Sequence, residues 1–162
     1  MGEEWIWLTR PFGQVNVITD DAGDLFARSL YDEYTFAGSF FPQDVTVSFR
    51  APSVYDVSTG TVSEFREFKY SAPVYCLDRI SMEDGKENTL VMDYILAPQE
   101  KSVFDMQVTL SNPIDAFTLN LTNLPIQRNY RTNVRGSLLS GDVTAKVSID
   151  SEWLGEFDWP YN

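Results

Sequence analysis

The chain has no histidine among its 162 residues, which removes most of the catalytic repertoire at once. Ser-His and Cys-His nucleophiles, HExxH-type zinc sites and imidazole pH switching all need that ring. The one cysteine, Cys76, permits no internal disulfide, no Cys-rich zinc site and no CxxC pair, and no histidine is present to activate it as a thiolate. Packing as a small buried hydrophobe is its simpler role. A carboxylate pair could hydrolyse glycosides without histidine. Glu64, Glu67, Asp78, Glu83 and Asp84 are available, but no spacing marks a pair, and a solvated acidic face accounts for them. Asp20-Asp21-Ala22-Gly23-Asp24 brackets a glycine with carboxylates, as a calcium loop would. The fuller EF-hand pattern is missing, and helix capping explains the same residues. The expectation is a non-enzyme with no catalytic residues, no cofactor and no metal.

Aromatic residues are the remaining chemistry: 4 Trp, 8 Tyr and 11 Phe. Core packing is their commoner use, but a β-sandwich can also present ring faces to sugars. Tyr31, Tyr34, Tyr55, Tyr70 and Tyr75 are the candidates for an exposed cluster. At the termini, Trp5 and Trp7 alternate, as do Phe157, Trp159 and Tyr161. An alternating apolar segment at a chain end can pair within its own domain or add to a neighbour's sheet, where main-chain bonds give affinity and side chains give register. Phe157, Trp159 and Tyr161 form the candidate strand-addition segment.

Charge narrows the partners. With 24 acidic and 12 basic residues the net charge is −12, the wrong sign for binding phosphates or an anionic membrane surface. No apolar run reaches the ~20 residues of a membrane span. The expectation is no nucleic acid, no membrane insertion and a monomer as an isolated domain. At 43% hydrophobic the chain is rich enough for one folded domain over residues 5–162, with 1–4 as an extension.

The elements that position these residues are strands. Trp5, Trp7, Val15 and Val17 follow a period near two, interrupted by Pro11 and Gly13, which predicts two short strands or one with a bulge, near an edge. Val45, Val47 and Phe49 alternate in a half-buried strand. Val54–Val57 and Val62–Phe68 flank Ser58-Thr59-Gly60 as a hairpin. Leu90, Met92, Tyr94 and Leu96 alternate up to Pro98, and Val103–Leu110 and Phe117–Leu121 are separated by Ser111-Asn112-Pro113. Residues 129–140 lead into Gly141-Asp142, which suits a type II′ turn, with Val143, Ala145, Val147 and Ile149 on one side of the next strand. Asp24–Tyr34 reads as one short helix carrying Leu25, Phe26, Leu30 and Tyr34 as a stripe. About seven to nine strands plus one helix predict an all-β antiparallel sandwich.

Three segments resemble a known family. Arg128-Asn129-Tyr130-Arg131-Thr132-Asn133, followed by Gly136 and Leu138-Leu139, is similar to the RNYRTN-x-x-G-x-LL segment of fimbrillin-like surface proteins. These are pilin and pilin-like lipoproteins of anaerobic gut and oral bacteria. Arg10-Pro11-Phe12-Gly13-Gln14-Val15-Asn16 resembles that family's R-P-F strand, and Met92-Asp93-Tyr94-Ile95-Leu96-Ala97 its M-x-Y-x-L-A strand. The resemblance implies a transthyretin-like Greek-key sandwich at the cell surface or outer membrane, partnered by other pilin-like subunits or a host surface ligand. It also implies a longer lipoprotein precursor, of which this is the C-terminal domain, with Met1-Gly2 left from expression. Arg10, Pro11, Gln14, Asn16, Arg128, Asn129, Tyr130, Arg131, Asn133 and Gly136 form the signature. Alternation puts Tyr130 and Val134 in the core, with Asn129, Arg131 and Asn133 bonding a neighbouring loop. They read as a structural latch, the alternative being a ligand-contacting strand. Gly136 fits a bulge or a close backbone approach. The function implied is a non-enzymatic structural or adhesive domain acting by strand addition. A carbohydrate-binding module is the alternative.

Overall fold

The computed structural model describes residues 10–22, 42–73, 88–113, 115–139 and 146–150. They contain eight strands: β1 (Phe12–Thr19), β2 (Asp44–Asp56), β3 (Thr61–Pro73), β4 (Asn88–Leu96), β5 (Ser102–Ser111), β6 (Ala116–Ile126), β7 (Arg131–Gly136) and β8 (Lys146–Asp150). They form two four-stranded sheets, ordered β4-β1-β7-β8 and β3-β2-β5-β6. Neighbours run antiparallel except β1 and β7, which are parallel. The fold is thus an all-β sandwich. The expected helix at Asp24–Tyr34 lies outside the described residues.

Alternation builds the core. Val15 and Val17 of β1 and Val134 of β7 face Val47 of β2 and Val108 and Leu110 of β5, all fully buried. Each such side chain contributes roughly 1.5–3 kcal/mol relative to exposure. β2 and β3 make the expected hairpin around Val57–Gly60. Asp56 Oδ1 accepts Ser58 N at 2.8 Å and Ser58 Oγ at 2.7 Å, and Gly60 takes the left-handed φ of 69° that closes the turn. These bonds, the Ser58 hydroxyl first, lower the pKa of the exposed Asp56 carboxyl. β5 and β6 pair with a bulge. Thr122 and Asn123 stand against Asp105, whose carboxylate accepts Asn123 N at 2.8 Å, and Asn123 adopts φ 55°.

Four expectations are corrected. β1 is an interior strand, not near an edge, because β4 and β7 pair with its two sides; a register shift against β4 at Val17/Ile18 supplies the bulge. In β4 Val91 and Ile95 enter the core with Leu90, whereas Met92 and Tyr94, expected to share the face of Leu90, lie on the outside. β7 and β8 do pair, reaching Arg135–Lys146 among the described residues, but β7 ends at Gly136 and does not run on to residue 140. Leu138 and Leu139, adjacent and both buried, leave it, and their amides go to Thr19 Oγ1 at 3.2 Å and Asp21 Oδ2 at 3.0 Å. Gly141-Asp142 lies outside the described residues. Finally, Val147 on the supposed apolar side of β8 is 46% exposed, because β8 has a neighbour among the described strands only at β7.

Candidate functional site

The signature residues meet along the parallel seam. Gln14 stands opposite Arg131 and Asn16 opposite Asn133. Arg131 Nε donates to Gln14 Oε1 at 3.3 Å, Gln14 Nε2 to Asn16 Oδ1 at 3.1 Å, and Asn16 Nδ2 to Asn133 Oδ1 at 2.8 Å. This is a directional relay with a guanidinium at its head, an arrangement in which each bond polarises the next. Gln14, Asn16 and Asn133 are buried, Asn133 to 2% exposure, so the relay satisfies groups that would otherwise be costly to bury. On the opposite side of β7, Thr132 donates to Pro125 O and Val134 enters the core. Arg131 and Asn133 therefore bond a neighbouring strand, where a loop was expected.

The rest of the signature makes a corner. Asn129 adopts φ 64°, a left-handed conformation that asparagine tolerates better than most residues. Its side chain accepts Arg10 N at 3.1 Å, and its amide donates to Phe12 O at 3.1 Å. Pro11, lacking an N–H, uses its carbonyl to accept Ala97 N at 3.0 Å just ahead of β1. Tyr130 is only partly buried, a correction to its expected core position, because β7 starts one residue later; its carbonyl accepts Gln14 N at 3.0 Å. Gly136 ends β7 with the register against β1 unbroken, so no bulge lies there. A close backbone approach is found at Gly13, where a Cβ would sit 2.7 Å from both Gln127 O and Ile126 Cδ1.

Arg128 points the other way. Its Nη1 donates to Tyr55 Oη at 3.2 Å, its Nη2 donates to Gly60 O, and the guanidinium lies 5.3 Å from the Tyr55 ring centroid. It ties the β6–β7 turn to the tip of the β2–β3 hairpin. Asp20 and Asp21, weighed as calcium ligands, engage the segment after β7: Ser137 Oγ donates to Asp20 at 2.9 Å, and Asp21 accepts Thr19 Oγ1 and the Leu139 amide.

Among the described residues a candidate binding surface is the flank where β3 and β4, each an outer described strand of its sheet, line one groove. Directly opposite residues of an antiparallel pair share a face. Phe68 and Tyr70 stand opposite the buried Phe49 and Val47, so they lie on the inner face, yet they are 38% and 39% exposed. Phe68 stacks on Phe49 with centroids 5.5 Å apart, and Tyr70 Oη donates to Asp93 Oδ2 of β4 at 3.0 Å. Partial burial, then the Asp93 charge and this bond, raise the Tyr70 pKa. Between Phe68–Tyr70 and Tyr94–Leu96 lies a groove of about 300 Å³ floored by Phe49 and Ala51. A neighbouring hollow of about 360 Å³ is lined by Val62, Phe65, Ile95, Val103 and Phe104.

The outer face of the second sheet is polar. Thr46 pairs with Ser71 at 2.7 Å, Thr109 with Thr118 at 2.9 Å, and Gln107 Nε2 donates to Asn120 Oδ1 at 2.9 Å.

The residues flagged by type were only partly those that meet. Tyr55 is engaged with Arg128 and Tyr70 with Asp93, so these two form no common platform. Tyr31, Tyr34, Tyr75, Cys76, Trp5, Trp7 and the segment Phe157, Trp159 and Tyr161 lie outside the described residues. Phe49, Phe68, Asp93 and Tyr94 were missed as a group. The signal was present in Phe65-Arg66-Glu67-Phe68-Lys69-Tyr70, where apolar residues break the period of two that a simply half-buried strand keeps.

Among solved structures, the chain is similar to a proposed cell adhesion protein of Bacteroides ovatus, with a TM-score of 0.36 at 8% identity, covering 88% of this chain and 44% of that one. The chain thus spans under half the length of that structure. No curated protein matches it. Residues 3–161 match the model of the family of unknown function DUF6562, and the chain belongs to that family.

Proposed function

We propose that this chain is a non-enzymatic structural or adhesive domain of a fimbrillin-like cell-surface protein, engaging its partners by β-strand addition. The observation that carries the reading is the β3–β4 flank, where half-exposed Phe68 and Tyr70 overhang a groove of about 300 Å³ on the inner side of an edge strand. An edge strand offers unpaired backbone groups, and an adjacent apolar groove offers pockets for alternate side chains of an incoming strand. The seam and corner fit a scaffold, since Gln14, Asn16, Asn129, Arg131 and Asn133 bond one another or the backbone. The proposed setting is the cell surface or outer membrane, as part of a lipoprotein precursor, with other pilin-like subunits or a host surface ligand as partners.

The segment Glu156–Asn162, carrying Phe157, Trp159 and Tyr161, is the proposed donor strand. A synthetic peptide of that sequence is titrated into the chain lacking it, with backbone amide shifts as readout. Shifts along β3 and β4 support the reading; an unperturbed spectrum at saturating peptide overturns it. Carbohydrate binding is the second reading, favoured by Tyr94 beside Asp93 in the lining of the groove. Glycan-array binding abolished by Tyr94→Ala would favour it over strand addition.

A further inference from the structure

Among the described strands, β3 is an outer strand of the second sheet. Eleven of its thirteen residues are exposed, and among the described strands its partner is β2 alone. Exposed edges are normally blunted by charge, and β3 carries Glu64, Arg66, Glu67 and Lys69. Their signs cancel within the strand, whereas the chain as a whole has net charge −12. The order of those signs decides what the edge can meet.

We infer that two copies associate through antiparallel pairing of β3 about a two-fold axis at Phe68. Such an axis keeps each residue on its own face, so partners are an even number of positions apart. Centred on Phe68, it sets Phe68 against Phe68 of the second copy. Arg66 then faces Tyr70 of the second copy, and Glu67 faces Lys69, each pair occurring twice. Arg66, Phe68 and Tyr70 share the inner face, because they stand opposite Ala51, Phe49 and Val47 of β2; Glu67 and Lys69 share the outer one. One side of the joint is therefore two cation–π contacts around an aromatic pair, and the other is two ion pairs.

Neighbouring registers fail on the same residues. Axes at Arg66, Glu67 or Lys69 place like charges opposite each other. An axis at Phe65 would need Glu64 in the ladder, but Glu64 has φ 52° and its carbonyl is held by Ser53 Oγ at 2.5 Å. An axis at Tyr70 leaves every charge without an opposite partner. The joint covers one strand edge, an area at the low end for protein interfaces, and it brings together two chains of the same net sign. The dilute chain is therefore a monomer and the dimer appears on concentration. The inference shares the β3 edge and the chemistry of strand addition with the proposed function, but its occupant is a second copy of β3 rather than a terminal donor strand.

The test is sedimentation equilibrium across a concentration series with exposed-residue charge swaps. Lys69→Glu alone and Glu67→Lys alone each turn two attractive pairs repulsive and should weaken dimerisation by about tenfold or more. Mixing the two single variants should restore association as a heterodimer, and the E67K/K69E double variant should restore the homodimer. Wild-type chain that stays monomeric throughout the series overturns the inference. So does a dimer indifferent to the single swaps, or single variants that are not rescued on mixing. A dimer that ignores the swaps but disappears when Glu156–Asn162 is deleted also overturns it, while supporting the terminal donor strand.

Discussion

Asn16 Nδ2 donates to Asn133 Oδ1 at 2.8 Å across β1 and β7, the one parallel pair in the molecule's described strands. The two residues are 117 positions apart in sequence, and both side chains are buried. A parallel pair cannot be registered by a hairpin turn. Here the register is fixed by side chains: a slip of one residue would set Asn16 against Thr132 or Val134 and break the relay at its centre.

Asn133→Ala removes the acceptor and leaves a buried donor on Asn16. The expected cost is about 1–3 kcal/mol, the penalty for an unsatisfied buried polar group. Urea denaturation of Asn16→Ala, Asn133→Ala and the double variant measures it. The double variant should lose clearly less than the sum of the singles; strict additivity would show that the amides do not interact.

Gly13→Ala tests the close approach to the β6–β7 turn. The new methyl would lie 2.7 Å from Gln127 O and from Ile126 Cδ1. The side chain can move aside, but the carbonyl moves only with its backbone. Overpacking of this kind costs about 1–3 kcal/mol. Combining it with Ile126→Val should recover only part of the loss, because the carbonyl contact remains. Full recovery of the denaturation midpoint would refute this account.

Strand identity was readable because Val45, Val47 and Phe49, like Val103–Leu110, follow the two-residue period imposed by one buried face. The seam was not readable in the same way. Gln14 and Asn16 look like the solvent side of an edge strand until Arg131 and Asn133 arrive to bond them, and that depends on a pairing more than a hundred residues distant. Leu138 and Leu139 misled in the other direction. Residues 129–140 read as one strand, but two adjacent leucines cannot both be buried on one side of a strand, and Thr19 and Asp21 capture their amides. In β4 the alternation of Leu90, Met92, Tyr94 and Leu96 misled, since Met92 and Tyr94 lie outside while Val91 and Ile95 are buried.

Arg128→Lys should loosen the β2–β3 hairpin tip without dismantling the sandwich. The guanidinium bonds both the Tyr55 hydroxyl and the Gly60 carbonyl, and a lysine ammonium cannot reproduce that planar fork. Bonds from charged groups are worth about 1.5–3 kcal/mol, so a loss in that range is expected. Hydrogen exchange should quicken at Gly60, whose amide donates to Asp56 O at 2.8 Å, and remain slow at Val47 in the core. Uniform acceleration across β2 would mean that Arg128 supports the whole sheet and not its tip.

Tyr70 gives the flank an alkaline limit. Its folded-state pKa lies above the ordinary 10.0, because partial burial, the Asp93 charge and the hydrogen bond to Asp93 all favour the neutral phenol. A raised pKa contributes stability that is fully present below the unfolded value and is lost as pH rises through the folded one. Stability should therefore fall from about pH 10 upward, and Tyr70→Phe should remove part of that slope. Absorbance at phenolate wavelengths should show one fewer late-titrating tyrosine in the variant. An unchanged set of late transitions would place the raised group elsewhere.

Salt should strengthen self-association even though it screens ion pairs. Two copies approaching each other carry a net charge of −12 each, a repulsion that acts over the whole surface and through solvent. Mobile ions screen that long-range term most, with a Debye length of about 10 Å at 0.1 M. Glu67 and Lys69 would meet at contact distance in the β3 joint, where fewer ions intervene. The repulsive term is therefore reduced more than the attractive one, and the association constant should rise as salt is added. Sedimentation equilibrium in low and moderate sodium chloride distinguishes the two signs. Association that is independent of salt, or that falls, would mean that local pairs outweigh the net charge and that the acidic surface does not restrain assembly.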